Sequence, residues 1–140
     1  MIDPNELFYP AVDLLRRLIA TPSVSREENA TADLIAAYLQ EYGFTPHRAA
    51  NNVWAIAPDY NPGRPTVLLN SHHDTVRPVE GWQGQAFNAR EEGDRLYGLG
   101  SNDAGASLVS LLQVFIALSS RPEPYNLIFL ACLLYTSDAA

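Results

Sequence analysis

The 140-residue sequence contains no lysine and a single cysteine, and all nine of its basic residues are arginine. With only Cys132 available, an intramolecular disulfide framework is excluded, and the composition fits a reducing compartment. Sixteen acidic residues against nine basic ones leave a formal charge of −7. With no basic cluster, such a chain is a poor binder of polyanions. The charge favours solubility and says little about a substrate. Met1 is followed by Asp3 and Glu6, without a basic segment or an apolar stretch behind it, so no signal peptide is expected. No apolar run approaches the roughly 18 to 20 residues that cross a bilayer. Asn29-Ala30-Thr31 has the form of a glycosylation site but lies inside a helical pattern. These absences point to a cytoplasmic protein with neither nucleic acid nor membrane as partner. What the chain does have is 47% hydrophobic residues, enough to bury the core of one ordinary domain.

Two helices come first. Asp3-Pro4-Asn5-Glu6 places an acidic N-cap before a proline at the first helical position, and Ala11, Leu14, Leu15, Leu18 and Ile19 follow at helical spacing. Thr21-Pro22-Ser23 ends that helix. Ser25 and Glu28 form a capping-box pattern for a second one, whose apolar face is Ala32, Ile35, Ala36 and Leu39 and which stops at Gly43. Residues 51–57 alternate around Val53, Trp54 and Ile56 as a strand. Pro58 to Pro65 then turns into a second apolar strand, and so short a connection predicts an antiparallel neighbour and a mixed sheet. Arg77 to Ala86 reads as a surface loop in which Trp82 is either ordinary packing or a wall of a cleft. Residues 87–97, with Glu92-Gly93-Asp94 at their centre, read as a hairpin. Leu108, Leu111, Leu112, Phe115 and Leu118 mark a further helix closed by residues 119–122, and residues 125–131 a buried strand. Helices alternating with apolar strands make the chain α/β.

The chemistry concentrates in Leu68-Leu-Asn-Ser-His-His-Asp-Thr-Val76, which passes from an apolar strand to a packed set of metal-binding side chains. Ligands of open α/β sheets collect at the carboxyl ends of such strands. An imidazole there can offer a lone pair to a cation, while a carboxylate two residues on accepts its other ring N–H. Alternation puts His72 and Asp74 on one side and His73 on the other. A hydrogen-bonded loop without metal fits the same residues. Further on, Leu96-Tyr-Gly-Leu-Gly-Ser-Asn-Asp-Ala-Gly105 precedes the apolar helix. It is no dinucleotide fingerprint, since Asp103 stands where glycine is needed, and no nucleophile elbow, since Leu99 and Asp103 flank Ser101. Glycines that let the backbone turn before a carboxylate at a helix N-terminus suit an anionic ligand aimed at a metal, and a plain N-cap role for Asp103 fits too.

Taken together, Ser71-His-His-Asp-Thr-Val76 and Tyr97-Gly-Leu-Gly-Ser-Asn-Asp-Ala-Gly105 resemble the motifs of the co-catalytic zinc aminoacylases and exopeptidases. That family includes acetylornithine deacetylase, succinyl-diaminopimelate desuccinylase and the carboxypeptidase G type enzymes. The resemblance implies a three-layer α/β/α domain with a mixed sheet, of which residues 1–131 would be the N-terminal portion. It implies two divalent metal ions, zinc or cobalt, with His72 as a ligand, Asp103 bridging both, and Asp74 orienting His72. The wording of the two motifs looks most like acetylornithine deacetylase of arginine biosynthesis, acting on a small N-acyl amino acid. Deacylases of N-acyl-citrulline or succinyl-diaminopimelate and dipeptidases are alternatives, and the whole protein would form a homodimer through a further domain.

The resemblance runs from about residue 5 to residue 131. In the family, the last strand leads into a pair of glutamates, a general base and a metal ligand, whereas here no glutamate follows Glu123. Two explanations are open: residues 132–140 are a foreign tail, since Leu133 to Ala140 looks like translated sequencing-adapter read-through, or the chain is a natural variant that has lost its base. A chain without the base is expected to be inactive alone, and a non-catalytic α/β interaction domain is the reading from another class.

Overall fold

The structure, a computed structural model, describes residues 3–82 and 84–137. Helix α1 spans Pro4–Ala20, and Asp3 caps it by accepting the Asn5 N–H at 2.9 Å. Pro10 sits inside this helix, so one backbone bond is missing there, and Leu14, Leu15, Leu18 and Ile19 are buried beyond it. Helix α2 spans Asn29–Glu41 and buries Ala32, Ile35 and Leu39. Gly43 ends it at φ +83°, a conformation that favours glycine. The capping box expected from Ser25 and Glu28 does not form. Glu28 itself occupies the N-cap without a side-chain cap bond, because Ser25 is drawn away to a partner in residues 74–75.

Four strands form the main sheet: β1 (His47–Ala49), β2 (Asn52–Ile56), β3 (Thr66–His72) and, after a separate hairpin and helix α3, β6 (Asn126–Cys132). The order is β1-β2-β6-β3. Pairings Ala55↔Phe129 and Leu69↔Phe129 make β2 antiparallel and β3 parallel to β6, so the sheet is mixed. The direct pairing of β2 with β3 expected from their short connection is replaced by insertion of β6 between them. β6 is apolar on both faces from Leu127 to Ala131, which suits a central position, and the parallel β3–β6 pair is joined through a crossover containing α3. The hairpin β4 (Arg90–Glu92) and β5 (Arg95–Tyr97) turns at Gly93, where φ is +62°.

Helix α3 spans Ala106–Ser119 and buries Leu108, Val109, Leu112 and Phe115. Together with the turn before it, Ser101–Ser119 is long and apolar enough by composition to cross a membrane, contrary to the expectation that no segment reached that length. Here its apolar residues pack into the core with α1, α2 and the inward residues Val53, Ala55, Leu127, Phe129 and Ala131. The three long helices thus lie on one face of the sheet. The opposite face carries the row Ile56, Ile128 and Leu68, with Leu68 52% exposed. Of the three layers expected, the described residues build two.

β6 runs one residue past the boundary expected at 131, with Cys132 paired to His72, and Leu133 is fully buried. A single helical turn, α4 (Leu134–Ser137), follows. The rest of the expected tail, residues 138–140, lies outside the described residues.

Candidate metal centre

His72 closes β3, so its position is set by the parallel ladder to β6. Past it the chain leaves the sheet but stays tethered: the Thr75 N–H donates to the Ser23 carbonyl at 2.8 Å, and the Ser25 N–H to the Thr75 carbonyl at 3.0 Å. Between these anchors Asp74 is buried, its side chain 4% exposed. Its Oδ2 accepts the Ser25 hydroxyl at 2.9 Å and its Oδ1 the Leu134 N–H at 2.8 Å. A buried carboxylate is tolerated when its oxygens are met by donors in this way. The Nδ1 of His72 lies 3.1 Å from the Asp74 carbonyl oxygen and 3.4 Å from Asp74 Oδ1. Both are acceptors and suit a proton on Nδ1, and the main-chain oxygen is the nearer partner.

Asp103 arrives from the other side. The chain turns sharply at Gly100, φ +76°, where an added Cβ would lie 2.6 Å from Thr75 Cγ2. A single wide turn, Ser101–Gly105, follows, with the Gly105 N–H returning to the Gly100 carbonyl at 2.8 Å. Inside it Asp103 and Ala104 leave helical geometry, and the peptide between them is cis. Asp103 is therefore not the N-cap of α3, a place taken by Gly105. Its side chain is 88% exposed, and its Oδ1 lies 3.1 Å from His72 Nε2.

The structure thus brings His72, Asp74 and Asp103 together around one imidazole. His73 points the opposite way, into the α2 side, and burial holds its imidazole below the usual histidine range. Trp82 stands apart, lining a different cavity of about 260 Å3 with Arg90 and Tyr97. A smaller cavity of about 20 Å3 lies beside His72, between Leu15, Thr75, Gly100 and Gly105. Burial raises the Cys132 thiol above its usual value. Ser25 is the functional contact that sequence reasoning missed. It looked like a helix cap, and its real partner lies 49 residues away.

The donor set fits a divalent cation. An imidazole nitrogen and a carboxylate oxygen that share one zinc at about 2.0–2.2 Å stand roughly 3 Å or slightly more from each other, as Nε2 and Oδ1 do here. Among the described residues no group of three or more His, Cys, Asp or Glu side chains is assembled to hold a metal. The described residues supply a pair of donors, His72 Nε2 and Asp103 Oδ1.

Residues 68–132 match peptidase family M20/M25/M40. A succinyl-diaminopimelate desuccinylase of Rhizorhabdus wittichii is 31% identical over 137 residues, covering 91% of this chain and 34% of the relative. Among solved structures, the aminoacylhistidine dipeptidase of Vibrio alginolyticus superposes with a TM-score of 0.66 at 22% identity, over 89% of this chain and 27% of that one. A dinuclear metal-binding peptidase of the M20 family from Bacillus subtilis superposes with a TM-score of 0.59 at 13% identity, over 92% and 36% of the two chains. The chain spans about a third of the length of the curated relatives it matches. Its α/β architecture with a mixed sheet is that of part of their catalytic domain, and over residues 68–132 the chain is similar to peptidase family M20/M25/M40.

Proposed function

We propose that this chain contributes half of a two-metal centre to a metal-dependent amide hydrolase acting on a small N-acyl amino acid or peptide. The observation that carries the reading is the environment of His72. Acceptor oxygens flank both ring nitrogens, Asp74 on the Nδ1 side and Asp103 at 3.1 Å from Nε2. With the proton on Nδ1, a lone pair and a carboxylate oxygen face each other, and a cation between them relieves that opposition. When bound, a pair of zinc or cobalt ions would supply an activated water and polarise the scissile carbonyl. His72 Nε2 and Asp103 would hold the ions, and Asp74 keeps the imidazole in the tautomer that offers Nε2 outward.

For the substrate we put N-succinyl amino acids and short peptides ahead of N-acetylornithine. The desuccinylase and dipeptidase names of the similar proteins support that order, although the motif wording resembles acetylornithine deacetylase. No glutamate follows Glu123 to act as general base, so the 140-residue chain is expected to be inactive alone.

Cobalt titration of the chain, followed by its visible absorption, tests the metal reading. One weakly held ion per chain is expected, lost in both His72→Ala and Asp103→Asn. Binding indifferent to both substitutions sinks the proposal. Hydrolysis of N-succinyl-diaminopimelate by the purified chain would overturn its inactivity.

A further inference from the structure

We infer that His73, the residue between the two functional positions of β3's end, is a positioning residue that sets the direction of His72 and Asp74. The inference rests on reading His72 as a metal ligand. His73 is almost fully buried, and three separate elements hold it. Its backbone N–H donates to the Cys132 carbonyl at 3.2 Å. Its Nε2 lies 2.8 Å from the Asn51 carbonyl oxygen in the β1–β2 turn. A carbonyl only accepts, so Nε2 bears the proton and Nδ1 keeps its lone pair. That lone pair meets the Thr31 hydroxyl, in the first turn of α2, at 2.9 Å.

The two anchors are themselves tied together. The side-chain amide of Asn51 donates to Glu28 Oε2 at 3.0 Å, and the other oxygen of this fully buried carboxylate accepts the Arg26 N–H. Thr31 Oγ1 also stands 3.1 Å from the Glu28 carbonyl, so its single proton is shared between that oxygen and His73 Nδ1 and makes one full hydrogen bond, not two. The imidazole of His73 is therefore a strut between α2 and the β1–β2 turn, with both of its nitrogens committed. Successive side chains of an extended segment point to opposite sides. Fixing the middle ring on the α2 side consequently fixes His72 and Asp74 on the other, His72 toward Asp103 and Asp74 toward Ser25 and the Leu134 N–H. An apolar residue of similar size would fill the space without determining the rotation of the segment. It would also leave the Asn51 carbonyl and the Thr31 hydroxyl without this partner.

Long-range 15N spectra of the 140-residue chain at pH 8, with and without zinc, read this directly. In the wild type, His72 is expected as the Nδ1–H tautomer, with zinc shifting its Nε2 resonance. In His73→Phe the tautomers of His72 should mix and zinc affinity should fall about tenfold, the lower end for residues that orient a metal ligand. His73→Gln, whose amide can still donate to the Asn51 carbonyl, should recover most of both signals. Thr31→Val, which spares the imidazole, should give a partial loss and serves if the phenylalanine variant does not fold. A fall in melting temperature with the His72 tautomer and zinc affinity unchanged would overturn the inference, leaving His73 a packing residue. A wild-type His72 that ignores zinc overturns the metal reading instead, while the zinc-free tautomer comparison still decides whether His73 positions it.

Discussion

At the end of the sheet where β6 begins, Asn126 is almost fully buried and both ends of its amide are occupied. Its Oδ1 accepts the Asn61 N–H at 2.8 Å, and its Nδ2 donates to the Asn61 carbonyl at 2.8 Å and the Arg64 carbonyl at 3.1 Å. At the end where β3 stops, Asp103 is exposed, and its carboxylate faces an imidazole nitrogen that has no proton to offer when the ring is neutral. The first group has closed its hydrogen bonds within the chain and holds the 58–65 connection to the sheet. The second has left them open toward a space that a cation fits. Polar groups of a fold saturate one another, and those of a site do not.

Crossed substitutions should separate the two. Asn126→Leu is expected to cost about 3 kcal/mol, since each orphaned buried partner costs about 1–3 kcal/mol. Denaturant unfolding would read it, and zinc affinity of the folded chain should not change. Asp103→Asn should do the reverse, moving stability by less than about 0.5 kcal/mol, as surface changes do, while weakening zinc binding. Equal losses of stability in both variants would erase the distinction between the ends. A smaller effect is expected from Gly100→Ala, which places an L residue in the left-handed region beside Thr75. It should cost about 1–2 kcal/mol. Because that turn carries Asp103, zinc affinity should fall as well, and a loss of stability without a loss of affinity would uncouple the turn from the centre.

The smallest effect concerns another closed pair, on the helix side. The Gln113 amide donates to the Tyr38 hydroxyl at 2.6 Å, and burial raises the phenol above its ordinary value. A raised folded value means that the folded state holds its proton longer. The stabilisation is present below the unfolded value of about 10 and is lost as pH rises above it. Unfolding free energies measured from pH 8 to 11 should fall more steeply in the wild type than in Tyr38→Phe. Parallel slopes would remove Tyr38 from the alkaline transition.

Local signals were the legible ones. The cap at Asp3, the stop at Gly43 and the hairpin at Gly93 were readable because each depends on residues a few positions apart. The buried faces of α1 and α2 followed from their 3.6-residue period. β1 escaped because His47, Arg48 and Ala49 are all exposed and carry no apolar alternation. Ser25 was misread because a serine three residues before a glutamate satisfies a local pattern, while a buried carboxylate 49 positions on offers it a better partner. At the centre, the residue types of His72, Asp74 and Asp103 were legible. The way Asp74 meets His72, through its main-chain oxygen as well as its carboxylate, was not.

By itself the sequence determined the helices, the apolar strands, the α/β class and the identity of the side chains able to hold a cation, since these follow from composition and short-range spacing. Only the tertiary structure decided that β6 enters between β2 and β3, that all three long helices share one face, and that Asp103 swings out of α3 to meet His72 across 31 positions of chain. Pairing and packing between distant segments depend on which surfaces bury each other best, and no local pattern records that outcome.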